Sequence, residues 1–191
     1  METTNERILK RIEYWEQNKK EDLIKTFPPR VQNFLKDWQV PLAEYPAKSS
    51  YLYGEARTGK TIELYKRIMI WQKTQMANQG SLDFLFVTNM NLITSVQEMM
   101  DKPEERSKLI DKYKKVRLLV IDDLGCIKFT DWNYALFQDI IDYRYQYLLT
   151  TFYSSNYSIK DYTEVTNDLR GGTRIAHDCG ENIFEFTKPY I

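Results

Sequence analysis

Gly54-Glu55-Ala56-Arg57-Thr58-Gly59-Lys60-Thr61 decides how the rest of this sequence is read. Glycine at the first and sixth positions, lysine at the seventh and threonine at the eighth is the spacing of a phosphate-binding P-loop. The flanks agree with it. Ser50-Tyr51-Leu52-Tyr53 reads as a short buried strand, and Thr61 to Gln75 reads as a helix. A strand delivers the loop, glycines let the backbone approach phosphate, and successive N–H groups turn inward. The helix then presents its positive N-terminal end to an anion. In this reading Gly54, Glu55, Ala56, Arg57, Thr58, Gly59, Lys60, Thr61 and Ile62 cradle a nucleotide such as ATP. Lys60 reaches the β- and γ-phosphates, and Thr61 places a hydroxyl on Mg²⁺. Arg57 occupies a variable position, where it would touch phosphate or nucleic acid or point to solvent; solvent is the simpler expectation. A strand–helix turn that binds nothing is the alternative, disfavoured because strand, loop and helix all agree with the motif.

The chain has 191 residues, enough for one domain with a sizeable core and an appended segment. With 42% hydrophobic and 28% charged residues it should fold as a soluble globule. Basic and acidic residues balance at 27 each. That argues against a strongly basic nucleic-acid coat protein, while leaving room for a local basic patch. No apolar run approaches a membrane span, and no signal-peptide pattern opens the chain, so no membrane partner is expected. Cys126 and Cys179, with the single His177, lack zinc-ligand spacing, and free thiols suit a reducing, cytoplasmic setting.

Residues 1–45 read as a helical N-terminal extension and 46–191 as the core. Ile8, Ile12 and Trp15 share one helical face among Glu and Lys. A helix that short is marginal alone, so its stripe should dock, either on its own core or on another protein. Pro28-Pro29 stops one element and suits the first turn of the next, where Val31, Phe34, Leu35 and Trp38 continue a helical face. Pro41 and Pro46 bracket a loop.

Beyond the P-loop helix, Leu82 to Thr88 reads as a strand, Asn89-Met90-Asn91 as its end, and Leu92 to Met100 as a helix. A charged segment covers Glu104 to Lys115. Val116 to Ile121 is the most apolar strand. Thr130 or Asp131 caps a long helix to about Tyr147, and Thr150 to Ser154 is a strand closed by Ser155-Asn156. Gly171-Gly172 marks a turn, and Ile183 to Phe186 is a last strand. Five strands alternating with helices define an α/β fold, a three-layer domain on a mostly parallel sheet, with ligands beyond the carboxyl ends of the strands.

Leu118-Leu119-Val120-Ile121-Asp122-Asp123 carries the second motif: four apolar residues, then two carboxylates. This is the pattern of a Walker B strand. Asp122 would hold Mg²⁺, and Asp123 would orient or deprotonate the attacking water. Asp123 is one methylene shorter than the commoner Glu, which implies slow hydrolysis. Asn156 would lie near the γ-phosphate, where an amide binds phosphate and lytic water; otherwise it is a polar strand terminator.

The runs Leu119 to Gly125, Ile140 to Tyr145 and Thr151 to Asn156, together with the P-loop, resemble AAA+ ATPases of the DnaC/IstB type. These include bacterial and phage replicative helicase loaders and transposition helper ATPases. The likeness covers about residues 30 to 187. It implies that Asn156 is sensor I. It also implies an arginine before the last strand that enters a neighbouring subunit's ATP site: Arg174, with Arg170 as the alternative. Only Thr187 to Ile191 follow the last strand, so no C-terminal lid is expected, which is compatible with loaders of this type.

The resemblance therefore implies an ATPase, assembled as a ring or spiral, that places or remodels a replicative helicase on single- or double-stranded DNA. A transposition helper that recruits a transposase, an adaptor that binds nucleotide with little hydrolysis, and a P-loop kinase are the alternatives. Arg106, Lys108, Lys112, Lys114, Lys115 and Arg117 would track a phosphate backbone or form a solvated helix face. Asn89 and Asn91 are placed on a loop that would face a pore.

Overall fold

A computed structural model describes residues 3–42, 48–128 and 130–189. Pro46 and the boundary expected between 45 and 46 lie outside the described residues. The chain divides into two units, and the helix after the P-loop groups with the N-terminal helices rather than with the sheet.

The first unit contains α1 (Thr4–Asn18), α2 (Lys20–Lys25), α3 (Pro29–Leu35) and α4 (Lys60–Ala77). Thr3 and Glu6 close a reciprocal capping box that satisfies two orphan N–H groups at the start of α1. Pro29 opens α3, where its missing N–H costs nothing. The stripe of α1 docks within the chain. Trp15 is fully buried, and neighbouring Glu16 accepts from Lys73 Nζ of α4 at 2.6 Å. Lys73 also donates to the Val40 carbonyl, and Phe27 packs on Tyr65 of α4 with ring centroids 4.6 Å apart. A buried ammonium is tolerated there because a carboxylate and a carbonyl meet it.

The second unit is built on β1 (Ser50–Gly54), β2 (Phe84–Thr88), β3 (Leu118–Leu124), β4 (Thr150–Ser155) and β5 (Ile183–Phe186), in the order β2-β3-β4-β1-β5. Every pairing is parallel. With them are α5 (Asn89–Gln97), α6 (Pro103–Lys115), α7 (Asp131–Gln146), α8 (Ile159–Thr166) and α9 (Leu169–Cys179). One sheet face sets Tyr51, Leu119, Ile121 and Tyr153 against Leu92 and Val96 of α5, Phe137 and Ile140 of α7 and Ile175 of α9. Leu118 and Val120, on the opposite face, are buried too. That explains why β3 reads as an unbroken apolar run rather than an alternation. The charged segment is α6: Pro103, Glu104 and Glu105 fill its first turn and Lys112, Lys114 and Lys115 its last, each sign complementing the helix dipole. Two of those lysines are paired, Lys114 with Asp139 and Lys115 with Asp111.

Three expectations are corrected. Gly171-Gly172 does not turn the chain; both glycines lie inside α9. A Cβ on Gly171 would strike the Asp168 carboxylate and Gln138 amide, and one on Gly172 would strike Thr163. The glycines permit close helix packing, and Asn167, with φ 55°, makes the turn. Asn89 and Asn91 do not occupy a loop. Thr88 caps α5 by accepting from the Asn91 N–H at 3.1 Å, which draws both asparagines into the first turn and buries Asn89. Strand β3 starts later than expected and runs on through both carboxylates to Leu124.

Arg144 of α7 is almost wholly buried. Its Nε donates to Thr151 Oγ1 at 2.8 Å, and its Nη1 donates to the carbonyls of Tyr113, Lys114 and Val116 at 2.8 to 3.1 Å. Its Nη2 reaches the Thr150 carbonyl at 2.5 Å. The guanidinium thus covers the carbonyl end of α6 and the start of β4. Burial pulls its pKa down to about 10, so it stays charged at neutral pH. Replacing it strands several buried carbonyls and empties their neighbourhood. Arg144→Ala should lower unfolding free energy by about 3–5 kcal/mol in urea denaturation. Arg144→Lys should recover only part, because an ammonium cannot reproduce the planar fork.

Candidate nucleotide site

The parallel order carries the ends of β1, β4 and β3 to one edge of the sheet, with β4 between the other two. At the end of β1, Gly54 adopts φ 137° beside Phe186 of β5, and a Cβ there would strike the Phe186 carbonyl. Glu55, Ala56 and Arg57 follow as exposed residues, and Arg57 takes a left-handed φ of 66°. Thr58 Oγ1 donates to the Glu55 carbonyl at 2.8 Å and tightens the loop. Lys60 opens α4, and Thr61 and Ile62 continue it. Lys60 Nζ donates to the Gly54 and Glu55 carbonyls at 2.7 Å each and to Asn156 Oδ1 at 3.1 Å. Lys60 and Asn156 therefore touch, although they stand 96 positions apart in the sequence.

Strand β3 is irregular where its carboxylates emerge. Ile121 pairs with Tyr153 and Leu124 with Ser155, so Asp122 and Asp123 together oppose Ser154. This is a β-bulge, and Asp123 takes φ 57° within it. Asp122 is buried and Asp123 is exposed. The Ser154 hydroxyl donates to Asp122 Oδ1 in a short hydrogen bond. The Asp123 N–H donates to Ser154 Oγ at 3.1 Å and to Asp122 Oδ1 at 3.2 Å. Beyond Ser154, Ser155 Oγ donates to the Leu124 carbonyl at 2.7 Å and accepts from the Tyr157 N–H at 3.1 Å. Tyr51 Oη donates to the Tyr157 carbonyl at 2.9 Å, fixing the turn that carries Asn156.

Burial raises the Asp123 carboxyl above its ordinary range, and the charge on Asp122 raises it further; Lys60 opposes both. Burial lowers the Lys60 ammonium, and Asp123 and Asp122 offset part of that. Two carboxylates beside one ammonium leave excess negative charge, which suits a divalent cation. The lysine's bonds go to neutral oxygens, partners it can exchange for phosphate oxygens. The residues present thus fit Mg²⁺ and a nucleotide phosphate chain.

Arg174 and Arg170 are engaged elsewhere in the unit. Both pair with Asp142 of α7, Arg170 at 2.6 Å, and Arg174 lies 6.0 Å from the Tyr145 ring centroid. Ser154 and Ser155 support β3 beside the two carboxylates, and the motifs do not name them. Their signal was two hydroxyls at the end of an otherwise buried strand.

No protein-family model matches the sequence, and no curated protein matches it. Solved structures do. The DnaC helicase loader matches with a TM-score of 0.57 at 22% identity, over 92% of this chain and 98% of that one. DnaI matches at 0.53 and 21%, over 83% and 79%. The replication initiator DnaA bound to AMPPCP and single-stranded DNA matches at 0.55 and 16%, over 86% of this chain and 44% of that one. The fold, an α/β domain on a five-stranded parallel sheet, is the one shared by these proteins.

Lys60→Ala should weaken nucleotide binding about 10²-fold or more, read by isothermal titration with ATP; unchanged affinity would remove the loop from the site.

Proposed function

We propose that this chain is an ATPase of DNA replication that loads or remodels a replicative helicase on DNA. The reaction is hydrolysis of ATP to ADP and phosphate. The observation that carries the reading is the 3.1 Å contact between Lys60 and Asn156, one strand away from Asp122 and Asp123. The strand order supports the reading because it gathers Lys60, Asp122, Asp123 and Asn156, the groups to which phosphate binding, metal binding, base and sensing roles are assigned in this proposal.

In this mechanism the loop N–H groups and Lys60 would hold the phosphates, Thr61 and Asp122 would serve as the Mg²⁺ ligands, and Asn156 would orient the lytic water. Bound Mg²⁺ supplies charge neutralisation on the phosphate oxygens. Asp123 takes the proton as water attacks the γ-phosphorus and the bond to the β-phosphate oxygen breaks, releasing ADP. Arg174 acts in trans, entering a neighbouring subunit's site in a ring or spiral. The outward Leu9 and Tyr14 of α1, 57% and 50% exposed, are among the extension's apolar residues that a protein partner would meet. No helix among the described residues is long and apolar enough to cross a membrane.

A second reading, an adaptor that binds nucleotide and hydrolyses it poorly, is favoured by Asp142. That carboxylate engages both candidate arginines and competes with any anionic target. Phosphate release per protomer, measured against protein concentration with and without single-stranded DNA, separates the two. Loading predicts a rate that climbs with both; the adaptor predicts a slow rate indifferent to both. Capture of a helicase rather than a transposase separates loader from transposition helper.

Asp123→Asn should cut turnover by about 10²–10⁴ while leaving nucleotide affinity in place. Arg174→Ala should do likewise, and mixing the two variants should restore part of the activity. Full activity in Arg174→Ala alone would dismiss that residue as the trans group.

A further inference from the structure

The bulge in β3 creates a problem that one side chain solves. Two residues oppose one, so the Asp123 N–H loses its regular ladder partner. A half-buried N–H that leaves the ladder is drawn to nearby acceptors. Ser154, directly opposite and fully buried, supplies one at 3.1 Å. The same hydroxyl gives its proton to Asp122 Oδ1. One hydroxyl is used as donor and acceptor at once, across a place where the sheet register shifts.

This has a consequence for Asp122. Its Oδ1 receives the Ser154 O–H and also the Asp123 N–H at 3.2 Å. Two donors fixed to the sheet at one oxygen hold the carboxylate in one orientation. Neither donor is a flexible side chain: one is backbone, the other a serine with a single rotatable carbon–oxygen bond. Ordinary strand packing does not require this hydroxyl; Phe152 and Tyr153 fill the preceding buried positions with rings.

We propose that Ser154 is a positioning residue for the divalent cation, acting through the Asp122 carboxylate and the bulge that it spans. The proposal rests on the nucleotide reading of the site. Ser154 itself touches neither metal nor nucleotide; it fixes the ligand that does. Partners of this kind change metal affinity by about 10–100-fold when removed.

The test separates metal from nucleotide. Mn²⁺ binding would be followed by electron paramagnetic resonance, with a non-hydrolysable ATP analogue present. Analogue affinity would be measured separately in EDTA. Ser154→Ala should weaken Mn²⁺ about 10–100-fold and leave the EDTA affinity unchanged, while Ser154→Thr, which keeps the hydroxyl, should resemble the parent. Parental Mn²⁺ affinity in Ser154→Ala overturns the proposal, as does an equal loss in Ser154→Thr. If Ser154→Ala does not fold, Ser154→Cys, with a weak S–H donor of similar size, takes its place under the same criteria. Failure of the parent to bind the analogue in EDTA would instead remove the nucleotide reading, and the proposal with it.

Discussion

Parallel pairing of β4 between β1 and β3 is the constraint on which the rest depends. Parallel strands put their carboxyl ends on one edge, so whatever follows each strand meets there. With β4 in the middle, Asn156 reaches Lys60 on one side while Ser154 reaches Asp122 and Asp123 on the other. A different strand order would leave the same residues in the sequence and disperse them in space. The motifs are local, but the site is a property of the order.

Strand β4 is pinned at both ends, by different means. At its start, buried Arg144 binds the Thr150 carbonyl and Thr151 hydroxyl and ties them to the end of α6. At its finish, Ser154 and Ser155 bond across to β3. Polar groups are costly in the interior unless satisfied. Arg144 offsets its desolvation with bonds to backbone carbonyls, which carry no charge of their own to desolvate. Ser154 goes further, because it also accepts from the Asp123 N–H, which the bulge takes out of the regular ladder. Both devices hold β4 in register, and a one-residue slip would turn every side chain to the wrong face.

What was legible in the sequence was what depends on near neighbours. The P-loop, the apolar run before Asp122 and the five strands rest on patterns a few residues long. Ile183–Phe186 was found to the residue as a short apolar run near the end of the chain. The misses come from partners far along the chain. Gly171-Gly172 looks like a turn until Asp168, Gln138 and Thr163 are seen pressed against it. Asn89 looks like a strand ending until the Thr88 cap draws it into α5. Arg144 sat in the run that carried the resemblance, yet nothing local marked it as buried. The bulge was invisible because register is a relation between two strands.

The two arginines before the last strand are not equivalent, although one carboxylate serves both. Arg170 is 61% exposed, and an ion pair so open contributes about 0–1 kcal/mol. Arg174 and Asp142 are 20% and 18% exposed, and the Tyr145 ring lies beside the guanidinium. Less water reaches that pair, so its attraction is less screened than that of the exposed Arg170. One carboxylate cannot neutralise two guanidiniums, and the cluster keeps one positive charge. An anion approaching α9 would therefore meet a guanidinium already ordered against α7. The trans role proposed for Arg174 would cost it the partial surrender of Asp142.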